Sequence, residues 1–98
     1  MRDTPNTYLV AYDIVNDRRR ERIAAVLLSY GFRVQGSVFI VTARGAAMTR
    51  MRDQLGRESN MREDSLIICD LGAASSWQDR YEHFGRCVDT SSFERTVF

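Results

Sequence analysis

The first apolar segment of the chain covers residues 8–14 and consists almost entirely of β-forming side chains. This composition predicts a central strand of a sheet. A turn at residues 15–17 follows and contains a polar break, with Asn16 or Asp17 as the N-cap of a helix. Residues 17–30 repeat apolar positions at helical spacing, which predicts an amphipathic helix whose inner face carries Ile23, Val26, Leu27 and Tyr30.

Three later segments extend this pattern. Residues 32–42 are rich in β-formers and predict either one long strand or two short strands hinged near Gly36. Residues 65–71 predict a further strand with an apolar centre. Residues 43–59 predict a second helix, with arginines outward and an inner face formed by Met48, Met51 and Leu55.

The order of these elements predicts the fold class. Strand, helix, strands, helix and strand in succession indicate an α+β, ferredoxin-like βαββαβ sandwich with both helices on one sheet face. We expect residues 1–72 to form this core. Residues 73–98 are expected to complete the sheet with C-terminal strands over 77–84 and 93–98. The last of these has no obvious place in the core and could pair with the sheet of a dimer partner.

Composition narrows the functional classes. A chain of 98 residues is one domain, and its net charge of +1 produces no global basic field. Cys69 and Cys87 lack the spacing of a zinc site or a disulfide scaffold. The longest apolar run, residues 23–28, is too short to span a membrane, and no signal peptide is visible. We therefore expect a cytoplasmic protein in a reducing setting, without a membrane partner.

Arginine is the unusual feature of the composition. All 14 basic residues are arginine. Codon bias in a GC-rich genome is one explanation. The other is phosphate binding, because arginine forms bidentate, permanently charged contacts that lysine does not.

Four of these arginines crowd the first turns of the first predicted helix. The positive end of a helix dipole disfavours each cation by ~0.3–1 kcal/mol, so the cluster has a cost to stability. Such a local cost indicates a role elsewhere, and the expected role is binding of phosphate. The alternative is a solvated helix face with intrahelical pairs such as Arg18–Glu21. The candidate nucleic-acid-binding residues are Arg18, Arg19, Arg20 and Arg22, together with Arg33 at the start of the next strand.

Asp13 is the main candidate for metal chemistry, because it is a lone carboxylate at the end of an apolar strand. Mg²⁺ prefers carboxylate oxygens, and one carboxylate per chain makes a poor site. Two copies of Asp13 meeting across a two-fold axis would make a plausible one. The alternative is that Asp13 caps the turn or pairs with a nearby arginine. Asp70, which closes a later strand, is a weaker candidate for a second carboxylate.

Two aromatic residues and the sole histidine complete the candidates. Tyr12 and Phe39 can stack on a base or sugar, as aromatic side chains on open sheets do, or can belong to the core or an interface. His83 is expected at the surface, and a single histidine cannot form a catalytic pair.

Four motifs follow one another along the chain, namely YDI at residues 12–14, NDRRRER at 16–22, YGFRVQGSVF at 30–39 and EDSLII at 63–68. In this order they resemble the CRISPR-associated protein 2 family. The resemblance covers roughly residues 8–72, and the region after residue 72 matches only in layout. It implies a ferredoxin-like fold and a symmetric homodimer, with residues 93–98 as a strand added to the partner's sheet.

The resemblance also implies two activities. One is metal-dependent endonuclease action on RNA or double-stranded DNA, with Mg²⁺ or Mn²⁺ as cofactor. The other is spacer acquisition, in which the dimer bridges the integrase (the CRISPR-associated protein 1 family) and holds duplex DNA. By resemblance Asp13 is the metal-binding aspartate, and the positions tied to activity or nucleic-acid contact are Tyr12, Arg20, Arg22, Arg33 and Phe39.

One position departs from the family pattern. Ile40 stands where the family commonly has an acidic residue. If that acid helps to position the metal or the attacking water in the family, its absence puts hydrolysis by this chain in question. Two other functions are compatible with the residues: a toxin-like, metal-dependent ribonuclease, and a ligand-sensing ferredoxin-like regulatory module. The second of these does not explain the arginine cluster.

Overall fold

A computed structural model describes residues 4–86 and contains one four-stranded antiparallel sheet with the order β2-β3-β1-β4. Two helices cover one face of this sheet, and the predicted ferredoxin-like fold is confirmed. The predicted strand over residues 93–98 and its pairing with a partner lie outside the described residues. The elements are β1 (Asn6–Asp13), α1 (Asp17–Leu28), β2 (Gly31–Gln35), β3 (Val38–Ala43), α2 (Gly45–Glu58), β4 (Ser65–Ala73) and a 3₁₀ turn (Trp77–Arg80).

Helix α1 begins and packs as its sequence predicts. The Asn16 side chain accepts a hydrogen bond from the backbone N–H of Arg19 at 3.0 Å, which is an N-cap. Ile23 and Leu27 are fully buried against the sheet, and Val26 and Tyr30 are partly buried beside them. The helix ends at Leu28, two residues before the predicted boundary. Neither helix of the described chain has the length and apolarity needed to cross a membrane.

The β-rich segment after α1 is a hairpin of two strands. Gln35 lies opposite Val38, which leaves Gly36 and Ser37 as a two-residue turn. Gly36 has a φ of +32°, in the region that glycine adopts at low cost. The turn reverses the chain. β3 then pairs with β2 along one edge and with β1 along the other.

The sheet has a hydrophobic cluster on each face. The larger cluster lies under the helices and includes Phe39, Leu27 and Met51. The smaller one lies on the opposite face, where Trp77 packs in a cluster with Leu71 and is 2% exposed.

The strand predicted over residues 77–84 is wrong. Residues Trp77–Arg80 form a 3₁₀ turn, closed by a hydrogen bond from the Asp79 N–H to the Ser76 carbonyl at 3.1 Å. Residues 81–86 have no regular structure. The reason is tertiary, because burial of the large indole on the open sheet face stabilises a turn that local β-propensity does not indicate.

Gly31 lies in β2 at a position where β3 leaves no room for a side chain. A Cβ atom at this position would lie 1.9 Å from the backbone carbonyl oxygen of Ile40. No heavy atom lies within 4 Å of the corresponding position at Gly56, in α2. The two glycines therefore form a matched pair for substitution.

We expect Gly31→Ala to lower the free energy of unfolding by about 1–3 kcal/mol, because the added methyl group forces backbone atoms apart. We expect Gly56→Ala to raise it by roughly 0.5–1 kcal/mol, because alanine loses less conformational entropy in a helix. Denaturant unfolding of both variants measures the difference. Equal stability of the two variants would contradict the register of β2 on β3.

Candidate nucleic-acid interface

Asp13 is the last residue of β1 and lies opposite Ser65 of β4. Its neighbour Tyr12 is buried under the helices, so strand alternation directs Asp13 to the sheet face that the helices leave uncovered. The carboxylate is exposed and makes no hydrogen bond or ion pair with another residue between 4 and 86. Within these residues Asp13 is therefore neither a cap nor the partner of an arginine.

A divalent cation does not fit the donor set of one chain. Residues 4–86 contain no group of three or more His, Cys, Asp or Glu side chains placed to share an ion. Magnesium takes six oxygen ligands, and Asp13 contributes one carboxylate. The residues fit a divalent ion only if a second chain contributes its own Asp13 and water completes the coordination.

Two other positions bear on this site through the strand register. Ile40 lies opposite Leu9, about 13 Å along β1 from Asp13, and is 1% exposed in the second core cluster. An acid at position 40 would therefore lie far from Asp13 in the same chain. Asp70 lies opposite Tyr8, about 17 Å from Asp13, where it accepts hydrogen bonds from Asn6. The suggestion that Asp70 is a second carboxylate of this site is wrong.

Arg19 does not have the role that its sequence context predicts. Its Nε donates to Asp64 Oδ2 at 2.8 Å, and its Nη2 donates to Glu63 Oε1, also at 2.8 Å. The side chain of Asp64 has no exposed surface, and that of Arg19 is 20% exposed. The donors of this guanidinium are therefore bonded to two carboxylates of the same chain. We assign Arg19 a structural role in place of the predicted phosphate contact.

Asp64 joins three parts of the chain. Its carboxylate accepts hydrogen bonds from Arg19, from the backbone N–H of Asn60 at 2.8 Å and from the backbone of Val15. The Arg19 guanidinium is the main reason that the pKa of Asp64 lies below its ordinary value of 3.8, and burial opposes it. The same contact raises the pKa of Arg19. No short-range pattern in the sequence indicates this pair, because 45 residues separate its members.

The other arginines of α1 differ in how far they are engaged. Arg20 pairs with Asp17 and donates from Nη1 to the backbone carbonyl of Ile14 at 2.9 Å, next to the end of β1. Arg22 reaches Glu58 of α2 at 3.5 Å, with both side chains partly exposed. Exposed pairs of this kind contribute little to stability and can be exchanged for another anion.

Arg18 is the least engaged of the four. It is exposed and forms no ion pair within residues 4–86, so the pair with Glu21 that the alternative interpretation supposed is absent there. The described structure therefore leaves Arg18 and Arg22 as the arginines of α1 most available to a phosphate.

Tyr12, Phe39 and Arg33 form a stack under the helices. The rings of Tyr12 and Phe39 are 5.9 Å apart between centroids, and Cζ of Arg33 lies 5.0 Å from the centroid of Phe39. Phe39 is fully buried and Tyr12 is 8% exposed, so the stacking on a base that the sequence suggested is not available to them. Both rings also lie on the opposite sheet face from Asp13. Any contribution of Tyr12 or Phe39 to catalysis would be indirect.

A cleft of about 510 Å³ opens beside this stack, between α1 and the β2–β3 hairpin. Arg33 contributes to its wall, and the Nε atom of Arg33 is buried without an acceptor in the described chain. The cleft combines residues that the sequence offered as separate candidates. It is lined by Tyr12, Arg20, Glu21, Ala24, Ala25, Leu28, Arg33, Gly36 and Ser37.

Residues 6–79 match the family model described as CRISPR associated protein Cas2. A relative from Rhodospirillum rubrum, named CRISPR-associated endoribonuclease Cas2 4, is 48% identical over 63 residues, which are 64% of this chain and 51% of that protein. The matched region thus spans about half of this relative. A relative from Chlorobaculum tepidum, named CRISPR-associated endoribonuclease Cas2, is 40% identical over 82 residues, which are 79% of this chain and 83% of that protein.

Solved structures that are similar to this chain include Cas2 proteins. A hypothetical protein from Thermus thermophilus has a TM-score of 0.75 at 32% identity, covering 85% of this chain and 94% of that one. Streptococcus pyogenes Cas2 has a TM-score of 0.71 at 30% identity, covering 81% and 99%. A chain of a structure described as a partial Cas6-RT-Cas1–Cas2 complex has a TM-score of 0.61 at 28% identity, covering 81% and 89%.

The Arg19–Asp64 pair predicts a specific response to acid. The pKa of Asp64 is lower in the folded chain than in the unfolded chain, so its stabilisation is complete above about pH 4 and is lost as pH falls through the folded value. We expect Asp64→Asn to be less stable than the parent at neutral pH and to approach it as the pH falls below about 4. Denaturant unfolding over this range measures the effect, with Asp53→Asn as control, because Asp53 is an exposed aspartate that forms no ion pair within residues 4–86. Parallel stability curves for parent and Asp64→Asn would contradict it.

Proposed function

Because this chain belongs to the CRISPR associated protein Cas2 family, we propose that it acts in CRISPR spacer acquisition as a homodimer that binds duplex nucleic acid beside an integrase. We also propose that the dimer hydrolyses phosphodiester bonds with a divalent metal at Asp13. The names of curated relatives support a nuclease activity. The solved complex that pairs a related chain with Cas1 supports the integrase partner.

The observation that carries this proposal is the position of Asp13 beside the arginines of α1. Only residues 14–16 separate the end of β1 from the start of α1. Arg20 bonds to the Ile14 carbonyl within this connection, which keeps a guanidinium close to the strand end. An exposed carboxylate and exposed cations therefore share one edge of the molecule. A phosphodiester backbone bound to the cations would pass close to Asp13.

The uncovered sheet face around Asp13 supports a homodimer. Ile67 lies on this face, opposite Ala11 of β1, and is 59% exposed. Val38 of β3 pairs with the same alanine and is half-buried. An apolar surface next to a charged strand end suits an isologous interface, because a two-fold axis there would bring both copies of Asp13 together.

In this mechanism the metal, when bound, supplies an activated water and neutralises charge on the phosphodiester. The Asp13 carboxylates of the two chains would hold the ion, which we expect to be Mg²⁺ or Mn²⁺ because the available ligands are oxygens. Arg18 and Arg22 would bind phosphates on either side of the reacting one. These contacts carry no base information, so recognition would not depend on sequence.

RNA is the second candidate substrate. The relatives from R. rubrum and C. tepidum are both named endoribonucleases. A ribonuclease that acts alone, as a toxin does, would use the same Asp13 chemistry without an integrase. A cleavage assay on single-stranded RNA and on duplex DNA separates this function from the role in acquisition.

We expect the double substitution Arg18→Gln/Arg22→Gln to weaken duplex binding equally for unrelated sequences. Two lost phosphate contacts should flatten the slope of log K against log salt by about 1–2. Fluorescence anisotropy across a salt series measures the slope. Arg50→Gln is the matched control, because Arg50 is an exposed arginine two turns along α2 from Glu58, the partner of Arg22. An equal flattening of the slope in Arg50→Gln would mean that Arg18 and Arg22 are not the particular arginines that contact the phosphates.

We expect Asp13→Asn to abolish metal-dependent cleavage and to leave duplex binding within about twofold of the parent, since the substitution removes a metal ligand and no cation. Cleavage with and without Mg²⁺, measured beside anisotropy, tests both parts. Retained metal-dependent cleavage by Asp13→Asn would remove this residue from the mechanism.

The companion variant Ile67→Glu tests the dimer. Its side chain is exposed in the single chain, so we expect it to fold while its charge disrupts an apolar interface. Sedimentation should then show a monomer that has lost cleavage although Asp13 is intact. A dimeric Ile67→Glu, or a monomer that cleaves normally, would contradict a shared metal site.

A further inference from the structure

We propose that the cleft between α1 and the β2–β3 hairpin binds one nucleoside phosphate. This site goes beyond the proposed nuclease function, because the cleft is on the helix side of the sheet and Asp13 is on the other. Its volume of about 510 Å³ is within the range of small-molecule sites. It is formed within a single chain, so it does not require the dimer.

The buried nitrogen of Arg33 identifies one end of the ligand. Cation–π contact with Phe39, at 5.0 Å from Cζ to the ring centroid, holds the guanidinium in place. Its Nε atom is buried and has no acceptor in the described chain, although a buried N–H without a partner costs free energy. Nε has no surface in the cleft itself, so an oxygen atom of a ligand would satisfy this donor after a rotation of the Arg33 side chain toward the cleft.

Arg20 is the second cation in the cleft lining. Its guanidinium is bonded to the Ile14 carbonyl and paired with exposed Asp17, and a phosphate can take the place of an exposed partner of this kind. Two guanidinium groups in one cleft favour an anion with several oxygens, because arginine binds phosphate through paired hydrogen bonds.

Beyond Arg20 and Glu21, the wall of the cleft that α1 forms is apolar. Ala24 and Ala25 present only methyl groups, and Leu28 is 49% exposed although it is a large apolar side chain. Short side chains on one helix face leave a shallow, flat surface. A planar ring such as a nucleobase would bury this surface and gain hydrophobic free energy.

Glu21 and Ser37 would favour binding of a nucleotide over binding of a simple anion. The carboxylate of Glu21 repels either phosphate, but it would also accept hydrogen bonds from ribose hydroxyls or base amino groups, which inorganic phosphate lacks. The Ser37 hydroxyl can donate or accept. The lining thus suits a molecule that has an anionic end, hydroxyl or amino donors and a flat apolar part.

Two sources could supply this ligand, namely a free mononucleotide or the phosphorylated end of a nucleic-acid strand. Titration calorimetry on the full chain without divalent metal compares AMP, adenosine, inorganic phosphate and a short single-stranded oligonucleotide with and without a 5′-phosphate. We expect AMP to bind at least about tenfold more tightly than adenosine or phosphate, since each lacks one part of the contact set. A phosphorylated oligonucleotide that matches or exceeds AMP assigns the site to strand ends. AMP alone assigns it to free nucleotides.

Variants of the cleft make the test specific. Leu28→Trp fills the cleft from its exposed wall, and Arg33→Gln removes the buried donor. Each should weaken AMP binding by about tenfold or more, whereas Arg50→Gln, outside the cleft, should leave it unchanged. Asp13→Asn should also bind AMP normally, which separates this site from the nuclease. The proposal is overturned if AMP does not bind, if phosphate binds equally well, or if Leu28→Trp keeps the parent affinity.

Discussion

The hydrogen-bonded carboxylate of Asp64 is the contact on which the arrangement of this edge of the molecule depends. It accepts from Arg19 of α1, from Asn60 of the turn before β4 and from the connection that follows β1. Arg19 and the connection after β1 are neighbours in sequence, and both are remote from Asp64 and Asn60, so their meeting fixes the start of α1 against the turn before β4. A buried carboxylate such as that of Asp64 is costly to leave without its cation. The pair therefore disfavours arrangements in which Arg19 and Asp64 do not meet.

This contact changes how the arginine cluster should be understood. A helix start that carries four cations is unfavourable on its own, and one of them, Arg19, offsets that cost through Asp64 and Glu63. Arg20 is bonded to the backbone beside Asp13 and also lines the cleft. Arg18 and Arg22 remain at the surface. Neighbouring residues of one type thus have structural, positioning and exposed roles, which depend on the direction that each helical position faces.

The sheet separates two chemical environments. Asp13 and its apolar surroundings lie on the face without helices, and the aromatic stack with Arg33 lies on the face that the helices cover. Strand alternation imposes this separation, because adjacent residues such as Tyr12 and Asp13 point to opposite sides. The proposed nuclease site and the proposed nucleotide cleft therefore lie on opposite faces of the sheet, with Arg20 near both. Substitutions of Asp13 or of Leu28 can alter one without the other.

The sequence by itself determined the elements whose signals are local: the Asn16 cap, the apolar stripe of α1 and the order of strands and helices, since backbone propensity and side-chain periodicity act over a few residues. It also marked Asp13 as a strand-end carboxylate. Only the tertiary structure decided that Arg19 is engaged by Asp64, that Phe39 is buried beneath Arg33 and that Trp77 ends regular strand structure. Those outcomes depend on which distant groups meet and exclude water, and no short-range pattern in the chain encodes such meetings.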